Sequence, residues 1–403
     1  MQQYLKRTWA TIDLSKIESN YRLIREHYIG NDKKTMICAV VKANAYGHGD
    51  KVVAKLLDQC GADWFGVSNI EEGLALREAG IEKPILIFGH TPCELAPILS
   101  EKKITQTCLS LEYAKELSKI ASQHGVSVDI HIKVDTGMSR IGFVCSHDTM
   151  VSSCCDQIMQ VYSFPSLHIT GIFTHFACSD EYAEDSVAFT KGQFSRFTQV
   201  CDSLQKLGYD LGIRHCCNSA AVMNYPEMHL DMVRPGIILY GCPPSSDMEQ
   251  NFSFQPAMEL KTTVSEVKEI PAGTSISYGR IYTSSRPTRV ASLTIGYADS
   301  FPRTGQAAHV LLHGKQVPVI GRVCMDQMMV DISEVDDVKM GDTVTIFGKD
   351  GEEEISAGDF ASLRGSVNYE ALCAVGIRVP RVYLYQGKVT EVTDYISGTS
   401  GTY

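Results

Sequence analysis

The stretch AVVKANAYGHG, residues 39–49, joins an apolar strand to a tight turn through a single lysine. Its first residues have the apolar, β-branched composition of a buried strand, and this strand ends on Lys42. The chain then turns at once through Asn44, Gly47 and Gly49, residue types that favour tight turns. Because parallel α/β folds place their functional groups where strands end, Lys42 is a candidate functional residue.

Around this stretch, short β-branched runs alternate with helical patterns through the first two-thirds of the chain. Helical stretches such as 51–61, 70–80 and 111–125 end in glycine, the residue that most readily adopts a left-handed conformation at a helix end. The candidate strands number eight: MICAVV (36–41), WFGV (64–67), ILIFG (85–89), TQTCL (105–109), VSVDIHIKVD (126–135), HITGIFTHF (168–176), IRHCCN (213–218) and LDMVRPG (230–236). This alternation predicts a parallel (β/α)8 TIM barrel. A doubly wound sheet is the competing fold, but no G-x-G-x-x-G follows the first strand.

The composition changes near residue 245, where CPPSSDMEQNFSFQPAM (242–258) is rich in Pro, Ser and polar residues and predicts a linker. Short strands with frequent turn signals follow, so we predict a barrel at 1–245 and a mainly β domain at 246–403. Residues 4–13 are predicted to be a strand of the β domain, followed by a helix that Asp13 or Ser15 caps. We expect the Ser/Thr/Gly-rich C-terminal tail to be frayed.

Charge and composition exclude several classes of protein. The 37 basic and 47 acidic residues give a net charge of −10, which argues against a nucleic-acid-binding surface. The sequence has no apolar run near the ~20 residues that a membrane helix needs, and its first residues lack the apolar core of a secretory signal. None of the 14 cysteines forms a C-x-x-C pair, so we expect free thiols, no metal site and a cytoplasmic location.

Polar residues concentrate at the ends of the candidate strands, where a barrel enzyme carries its active site. These residues are Lys42, Lys133 with Asp135, His175, Asn218 with Ser219, and Arg234 with Gly236. The loops after strands seven and eight commonly bind phosphate in such barrels. A lysine on the first strand and a phosphate site on the last two suit pyridoxal 5'-phosphate, which needs a lysine for its Schiff base, a phosphate cradle and a partner for its ring nitrogen.

Nine motifs, in order and across essentially the whole chain, resemble those of the alanine racemase family. They are AVVKANAYGHG (39–49), KVDTGMSRIG (133–142), THFA (174–177), HCCNSAA (215–221), VRPGI (233–237), SYGR (277–280), IGYAD (295–299), VCMDQ (323–327) and NYE (368–370). The resemblance implies a fold-type III enzyme that uses pyridoxal phosphate to interconvert L- and D-alanine for peptidoglycan precursors. It also implies a head-to-tail homodimer with shared active sites.

The resemblance further implies a role for individual residues. Lys42 would bind the cofactor and act as one base, and Tyr278 would act as the second base from the other subunit. Two opposed bases are the natural way to move a proton between the two faces of a planar carbon. The phosphate of the cofactor would be bound by Tyr46, Ser219, Gly236, Ile237 and Tyr369, with Asn218 as a further cofactor contact, Arg234 at the ring nitrogen and His175 holding Arg234. Since arginine does not give up its proton, that ring nitrogen would stay unprotonated.

The substrate contacts follow from the same resemblance. Arg140 and the backbone N–H of Met325 would bind the substrate carboxylate. Lys133 would be carbamylated, an anion that orients Arg140. Tyr297 and Asp326 would form an entrance gate that restricts the site to small substrates.

The sequence departs from the family pattern at two positions, Ser139 and Ser300, where glycine is usual. Three other functions compete with alanine racemisation. A serine or broad-specificity racemase of the same family stays open, because pocket contacts worth ~1–3 kcal/mol set such preferences. A non-catalytic barrel that only binds the cofactor would lack the β domain and Tyr278. A decarboxylase of basic amino acids would carry different motifs in place of SYG and CMDQ.

Overall fold

The computed structural model describes residues 7–30, 34–303 and 308–402. These residues form two compact units. The barrel unit comprises residues 18–45 and 50–254, and the β unit comprises the chain up to Ile17, residues 46–49 and the chain from Gln255 onward. The units divide after Phe254, whereas the sequence placed the division after residue 245. The first strand, β1 (Thr8–Asp13), belongs to the β unit.

The barrel unit has eight parallel strands in one nearly closed sheet. These eight strands are β2 (Met36–Val40), β3 (Trp64–Val67), β4 (Ile85–Ile87), β5 (Ile104–Cys108), β6 (Val128–Asp135), β8 (Leu167–Phe173), β9 (Ile213–His215) and β10 (Met232–Val233), and a ninth short strand, β7 (Phe143–Val144), lies beside them. The order is β10-β2-β3-β4-β5-β6-β8-β9, and the short β7 pairs with β6 alone. Backbone hydrogen bonds from Asp231 to Arg214 (3.1 Å) and from Arg234 to Cys217 (3.0 Å) join the two ends. The predicted TIM barrel is confirmed.

Helices alternate with these strands. They are Leu14–Leu23 with a π-helical turn Ile24–Ile29, Asp50–Gln59, Ile70–Glu78, Ala96–Glu101, Leu111–Gln123, Val151–Val161, Glu184–Lys206 and Ser219–Asn224. The glycines expected to stop three of them, Gly61, Gly80 and Gly125, all have positive φ angles. The first helix is capped by Asp13, whose carboxylate accepts the backbone N–H groups of Ser15 and Lys16 at 3.0 and 3.3 Å.

The β unit is built on an eleven-stranded sheet. Its further strands are β11 (Met258–Ile270), β12 (Ser275–Ile276), β13 (Tyr282–Thr283), β14 (Thr288–Leu293), β15 (His309–Leu312), β16 (Lys315–Ile320), β17 (Met328–Asp331), β18 (Thr343–Asp350), β19 (Glu353–Ile355), β20 (Arg381–Tyr385), β21 (Lys388–Asp394) and β22 (Thr399–Thr402). The order in the large sheet is β19-β18-β15-β16-β17-β14-β11-β1-β20-β21-β22, and β18 also pairs with β11. Strands β12 and β13 pair with each other in a separate two-stranded sheet. Two short helices, Ala357–Ser362 and Asn368–Cys373, precede β20. The predicted mainly β domain is confirmed.

One expectation about the β unit is wrong. The C-terminal tail is not frayed, because Thr399–Thr402 forms β22 and pairs antiparallel with β21. Backbone pairing does not depend on apolar side chains, which is why the polar composition of the tail misleads.

Several global features bear on the class of protein. All fourteen cysteines are free thiols, and most of them are buried. Within the described ranges, no group of three or more His, Cys, Asp or Glu side chains could hold a metal ion. Over the same ranges, none of the helices has the length and apolar character needed to cross a membrane.

Candidate active site

Lys42 opens a left-handed turn at the end of the first barrel strand. The four residues Ala43–Tyr46 all have φ between 52° and 54°, although none of them is glycine. A left-handed conformation costs a residue with a Cβ atom roughly 1–2 kcal/mol, so four in succession need support from outside the turn.

The Glu72 carboxylate supplies part of that support. One of its oxygens accepts the backbone N–H of Ala43 at 2.8 Å, and the other accepts that of Ser68 at 2.6 Å. The Asn44 side chain accepts the backbone N–H of Asp50 at 3.0 Å, which joins the turn to the next helix. These contacts fix the backbone that carries Lys42.

Arg234 directly follows β10, which pairs with β2, the strand that precedes Lys42. Strand β10 is parallel to β2 with Val233 opposite Ile37, and Arg234 and Lys42 follow these strands at the same edge of the barrel. The carboxyl edge therefore carries a lysine and an arginine on neighbouring strands.

The Arg234 guanidinium is buried and bound on two of its three nitrogens. NH1 donates to His215 Nδ1 at 2.8 Å, and NH2 donates to the carbonyl oxygens of Thr174 and Cys216 at 2.8 and 3.1 Å. The expected contact with His175 is present, since NH2 lies 3.3 Å from its Nδ1. Among the described residues, no partner is found for Nε–H, so that donor is available to a ligand.

A chain of two histidines extends from Arg234 into the barrel. His215 Nε2 lies 2.9 Å from His131 Nδ1. Because arginine only donates, His215 must accept at Nδ1 and carry its proton on Nε2, which it donates to His131. His131 then carries its own proton on Nε2, which is buried and has no partner among the described residues.

Both of these histidines are held neutral. Burial, reinforced by the Arg234 charge, lowers the pKa of His131 to about 3 and that of His215 well below its usual range. The same causes lower the pKa of His175, with Lys133, Arg140 and Lys42 contributing. Neither His131 nor His215 has a role that the sequence patterns predict; the HCC motif and the position of His131 two residues before Lys133 on one strand are the signals that point to them.

Lys133 is buried at the end of β6. Its ammonium donates to the Val134 carbonyl at 3.0 Å and lies 5.3 Å from the centre of the Phe173 ring. Burial, together with the positive charges of Arg234 and Arg140, lowers the pKa of Lys133 from 10.5 to about 7, against the opposing effect of Asp135. An appreciable fraction of this amine is therefore neutral at physiological pH.

This buried amine predicts a specific dependence of stability on pH. Below pH 7 Lys133 is charged in both the folded and the unfolded chain, so the cost of burying the charge is complete. Between pH 7 and 10.5 the unfolded chain binds more protons, and the folded state gains up to about 1.4 kcal/mol per pH unit from this residue. In buffers free of carbon dioxide, the free energy of unfolding of the natural protein should thus rise across this range relative to that of Lys133→Met. A difference that does not vary with pH would show that Lys133 is not a buried free amine.

Asp135 is the last residue of β6, and Arg140 lies in the loop that follows. The Asp135 carboxylate accepts the backbone N–H groups of Gly137 and Ser139 at 3.1 and 2.9 Å, which fixes the loop that leads to Arg140. The Arg140 side chain is exposed and is thus accessible to a ligand.

The loops after β9 and β10 contact each other at the predicted phosphate-binding residues. The Ser219 hydroxyl accepts the backbone N–H of Gly236 at 2.8 Å, and its own proton has no acceptor among the described residues. The Asn218 side chain accepts the backbone N–H of Ala221 at 3.0 Å, so it caps the following helix. Ile237 begins a 3₁₀ turn directly after Gly236. The Ser219 hydroxyl can therefore donate to an anion.

The remaining predicted residues lie in the β unit. Tyr278, in a 3₁₀ turn, is 68% exposed, and Tyr297 and Met325 are 41% and 52% exposed. The loops of Tyr297 and Met325 pair through backbone hydrogen bonds.

Two further contacts in the β unit involve predicted site residues. Asp326 forms an ion pair with Arg378 at 2.8 Å. In the same unit, the ring centres of Tyr46 and Tyr369 are 6.2 Å apart.

The two departures from the family pattern share one structural property. Ser139 has φ 56° and Ser300 has φ 101°, so both occupy the region that favours glycine. Ser300 is also buried, and its hydroxyl has no partner among the described residues. Glycine is usual at these two positions because it adopts positive φ without steric strain. Serine adopts the same backbone conformation here at a cost in conformational energy.

A parallel barrel with lysine, arginine and histidine at its carboxyl edge, followed by a β domain, defines the class as a barrel enzyme. The sequence profile of the alanine racemase N-terminal domain matches residues 12–244, and that of the alanine racemase C-terminal domain matches residues 257–383. The chain belongs to the alanine racemase family. The resemblance drawn from the nine motifs is confirmed, and the protein is an isomerase.

Individual relatives agree with this assignment. The alanine racemase of Methanococcus maripaludis is 46% identical over 94% of this chain and 98% of its own length. Alanine racemase 2 of Caldanaerobacter subterraneus subsp. tengcongensis is 42% identical over 97% of this chain and 98% of its own. Among solved structures, the alanine racemase of Clostridium difficile 630 has a TM-score of 0.90 at 38% identity, covering 98% of this chain and 100% of that one. The alanine racemase of Bacillus anthracis with bound L-Ala-P has a TM-score of 0.91 at 34% identity with the same coverage.

Proposed function

We propose that this protein interconverts L-alanine and D-alanine with pyridoxal 5'-phosphate, as a cytoplasmic homodimer that supplies D-alanine for peptidoglycan. The observation that carries the proposal is that Lys42 and Arg234 follow two paired strands, β2 and β10, at the carboxyl edge of the barrel. Lysine supplies the amine that binds the cofactor, and arginine supplies a donor that cannot lose its proton. The relatives named above support alanine as the substrate.

The barrel residues fit this cofactor. The Nε–H of Arg234, which has no partner among the described residues, suits an unprotonated pyridine nitrogen, which is an acceptor, and the four other contacts hold the guanidinium in place. The free hydroxyl proton of Ser219 and the backbone at Gly236 and Ile237 suit a phosphate. Tyr46, Asn218 and Tyr369 are the further proposed cofactor contacts. When bound, pyridoxal phosphate withdraws electrons from the substrate and so makes the proton on its α-carbon acidic.

Lys42 and Tyr278 are proposed to move that proton. Lys42 takes it from, or returns it to, one face of the α-carbon, and Tyr278 of the partner subunit does so on the other face. A Tyr278 side chain that is largely exposed in the single chain is accessible to a neighbouring subunit. Arg234 moderates the electron withdrawal by the ring because it leaves the ring nitrogen unprotonated, which disfavours side reactions of the substrate.

The substrate carboxylate is proposed to bind to Arg140 and to the backbone N–H of Met325. The lowered pKa of Lys133 supports its carbamylation, because the neutral amine is the form that adds carbon dioxide. The resulting anion would remove one positive charge near Arg140 and hold the guanidinium by charge attraction. Tyr297 and Asp326 are proposed to limit the size of the substrate, with Arg378 holding Asp326.

A panel of single amino-acid enantiomers tests the proposed function. Each is incubated with the protein and pyridoxal phosphate, and both enantiomers are quantified by chiral chromatography. We expect the highest kcat/KM for alanine in both directions. A higher value for serine, or similar values for several amino acids, would assign the protein to a different specificity within the family, and no racemisation of any of them would refute the proposal.

A further inference from the structure

Arg381, at the start of β20, is the largest fully buried side chain among the described residues, at 1% exposure. Four hydrogen bonds from its guanidinium go to neutral backbone carbonyls, and its Cζ lies 5.4 Å from the centre of the Tyr395 ring. Nε donates to Gly47 at 2.9 Å, NH1 to Gly376 at 2.7 Å and Val379 at 2.5 Å, and NH2 to Val375 at 2.6 Å. Within the described chain, no carboxylate forms an ion pair with it. Charged side chains are rarely buried in this way without a paired charge, so its position calls for a reason.

The four carbonyls belong to two segments of the β unit that each carry a proposed phosphate-binding residue. Gly47 directly follows Tyr46, and Val375, Gly376 and Val379 follow the helix that contains Tyr369. The rigid guanidinium fork therefore joins the segment of one tyrosine to the segment of the other.

The packing of these segments leaves little freedom. A Cβ atom at Gly47 would lie 2.3 Å from the carbonyl oxygen of Leu372, in the helix of Tyr369. A Cβ atom at Gly49 would lie 1.8 Å from the hydroxyl of Tyr383, which is on the same strand as Arg381. Glycine is required at both positions because the backbone approaches its neighbours so closely.

We propose that Arg381 is a positioning residue for phosphate recognition. It fixes Tyr46 and Tyr369 relative to each other, and its charge, which no carboxylate neutralises, favours an anion bound by the two tyrosines. This inference rests on the proposed function and adds a residue that acts through these tyrosines. It predicts that Arg381 contributes to affinity for the phosphate of the cofactor and not for its ring.

Comparing two ligands that differ only in the phosphate tests this role. Full-length protein stripped of cofactor is titrated with pyridoxal phosphate and, separately, with pyridoxal, and the ratio of the two affinities is measured by absorbance. For Arg381→Met we expect this ratio to fall by roughly tenfold to a hundredfold, the usual effect of displacing binding groups by about an ångström. Arg381→Lys keeps the charge without the fork, so its ratio should fall by a smaller factor.

Arg289→Met is the matched control, since Arg289 binds a single carbonyl, that of Val335, elsewhere in the β unit. Its ratio should equal that of the natural protein. An unchanged ratio in Arg381→Lys, or an equal loss of affinity for both ligands in either Arg381 variant, would overturn the inference. Failure of the natural protein to bind either ligand would instead refute the proposed function.

Discussion

Lys42→Ala is expected to lower the rate of alanine racemisation by more than roughly 10⁴-fold and to abolish the visible absorbance of the lysine-bound cofactor. A positioned general base alone contributes about 10²–10⁴ in rate. Lys42 has a second proposed role as the covalent attachment of the cofactor, and in the described part of the chain no other lysine follows a strand that pairs with β10. The loss of activity should therefore exceed that of a base alone.

Lys51→Ala is the matched control for this variant. Lys51 is exposed on the helix that follows the turn, where it forms a surface ion pair with Glu78 at 3.5 Å. Activity and absorbance should both stay at the level of the natural protein. If Lys42→Ala kept the absorbance of a covalently bound cofactor, the assignment of Lys42 would be wrong.

Mixing two inactive variants is expected to restore about a quarter of the natural activity. Lys42→Ala and Tyr278→Ala homodimers should each be almost inactive, because each lacks one base at both sites. If each site takes Lys42 from one subunit and Tyr278 from the other, a mixed dimer has one doubly damaged site and one intact site. Random exchange of subunits makes about half of the dimers mixed, each with half of the normal sites.

Subunit exchange must be shown independently, by carrying different tags on the two variants and isolating dimers that carry both. A mixture of Lys42→Ala with a doubly substituted Lys42→Ala, Tyr278→Ala protein is the control and should stay inactive. Activity near zero in tagged mixed dimers would show that both bases come from the same chain.

The barrel could be predicted from the sequence because its signals are local. Alternating β-branched runs and helical patterns can be recognised without long-range information. The glycines at 61, 80 and 125, expected to end helices, have the positive φ angles that this role requires. The strand that ends on Lys42 was predicted for the same reason.

The left-handed turn after Lys42 could not be predicted in this way. Its residues include two alanines and a tyrosine, which rarely adopt positive φ, and the Glu72 carboxylate that holds the turn comes from another helix. The tertiary contact overrides local preference here. Such strained segments are concentrated at functional sites.

Contacts between residues far apart in the chain also could not be predicted from local sequence patterns. The contact of Arg234 with His215 and the burial of Arg381 depend on which segments the folded chain brings together. An arginine in a sequence is most often exposed, so the residue type at position 381 does not predict its burial, although its neighbours are apolar. The C-terminal strand was missed because its stability comes from backbone pairing.

Solvent-deuterium incorporation at the α-carbon tests the central claim, two bases on opposite faces, most directly. Lys42 is proposed to serve D-alanine and Tyr278 to serve L-alanine, one on each face of the α-carbon. In deuterated water, Tyr278→Ala is therefore expected to exchange the α-proton of D-alanine and to leave that of L-alanine almost unexchanged, while the natural protein exchanges both. Tyr282→Ala, which changes a tyrosine four residues away on β13, should behave like the natural protein. Equal exchange of both enantiomers by Tyr278→Ala would contradict the account.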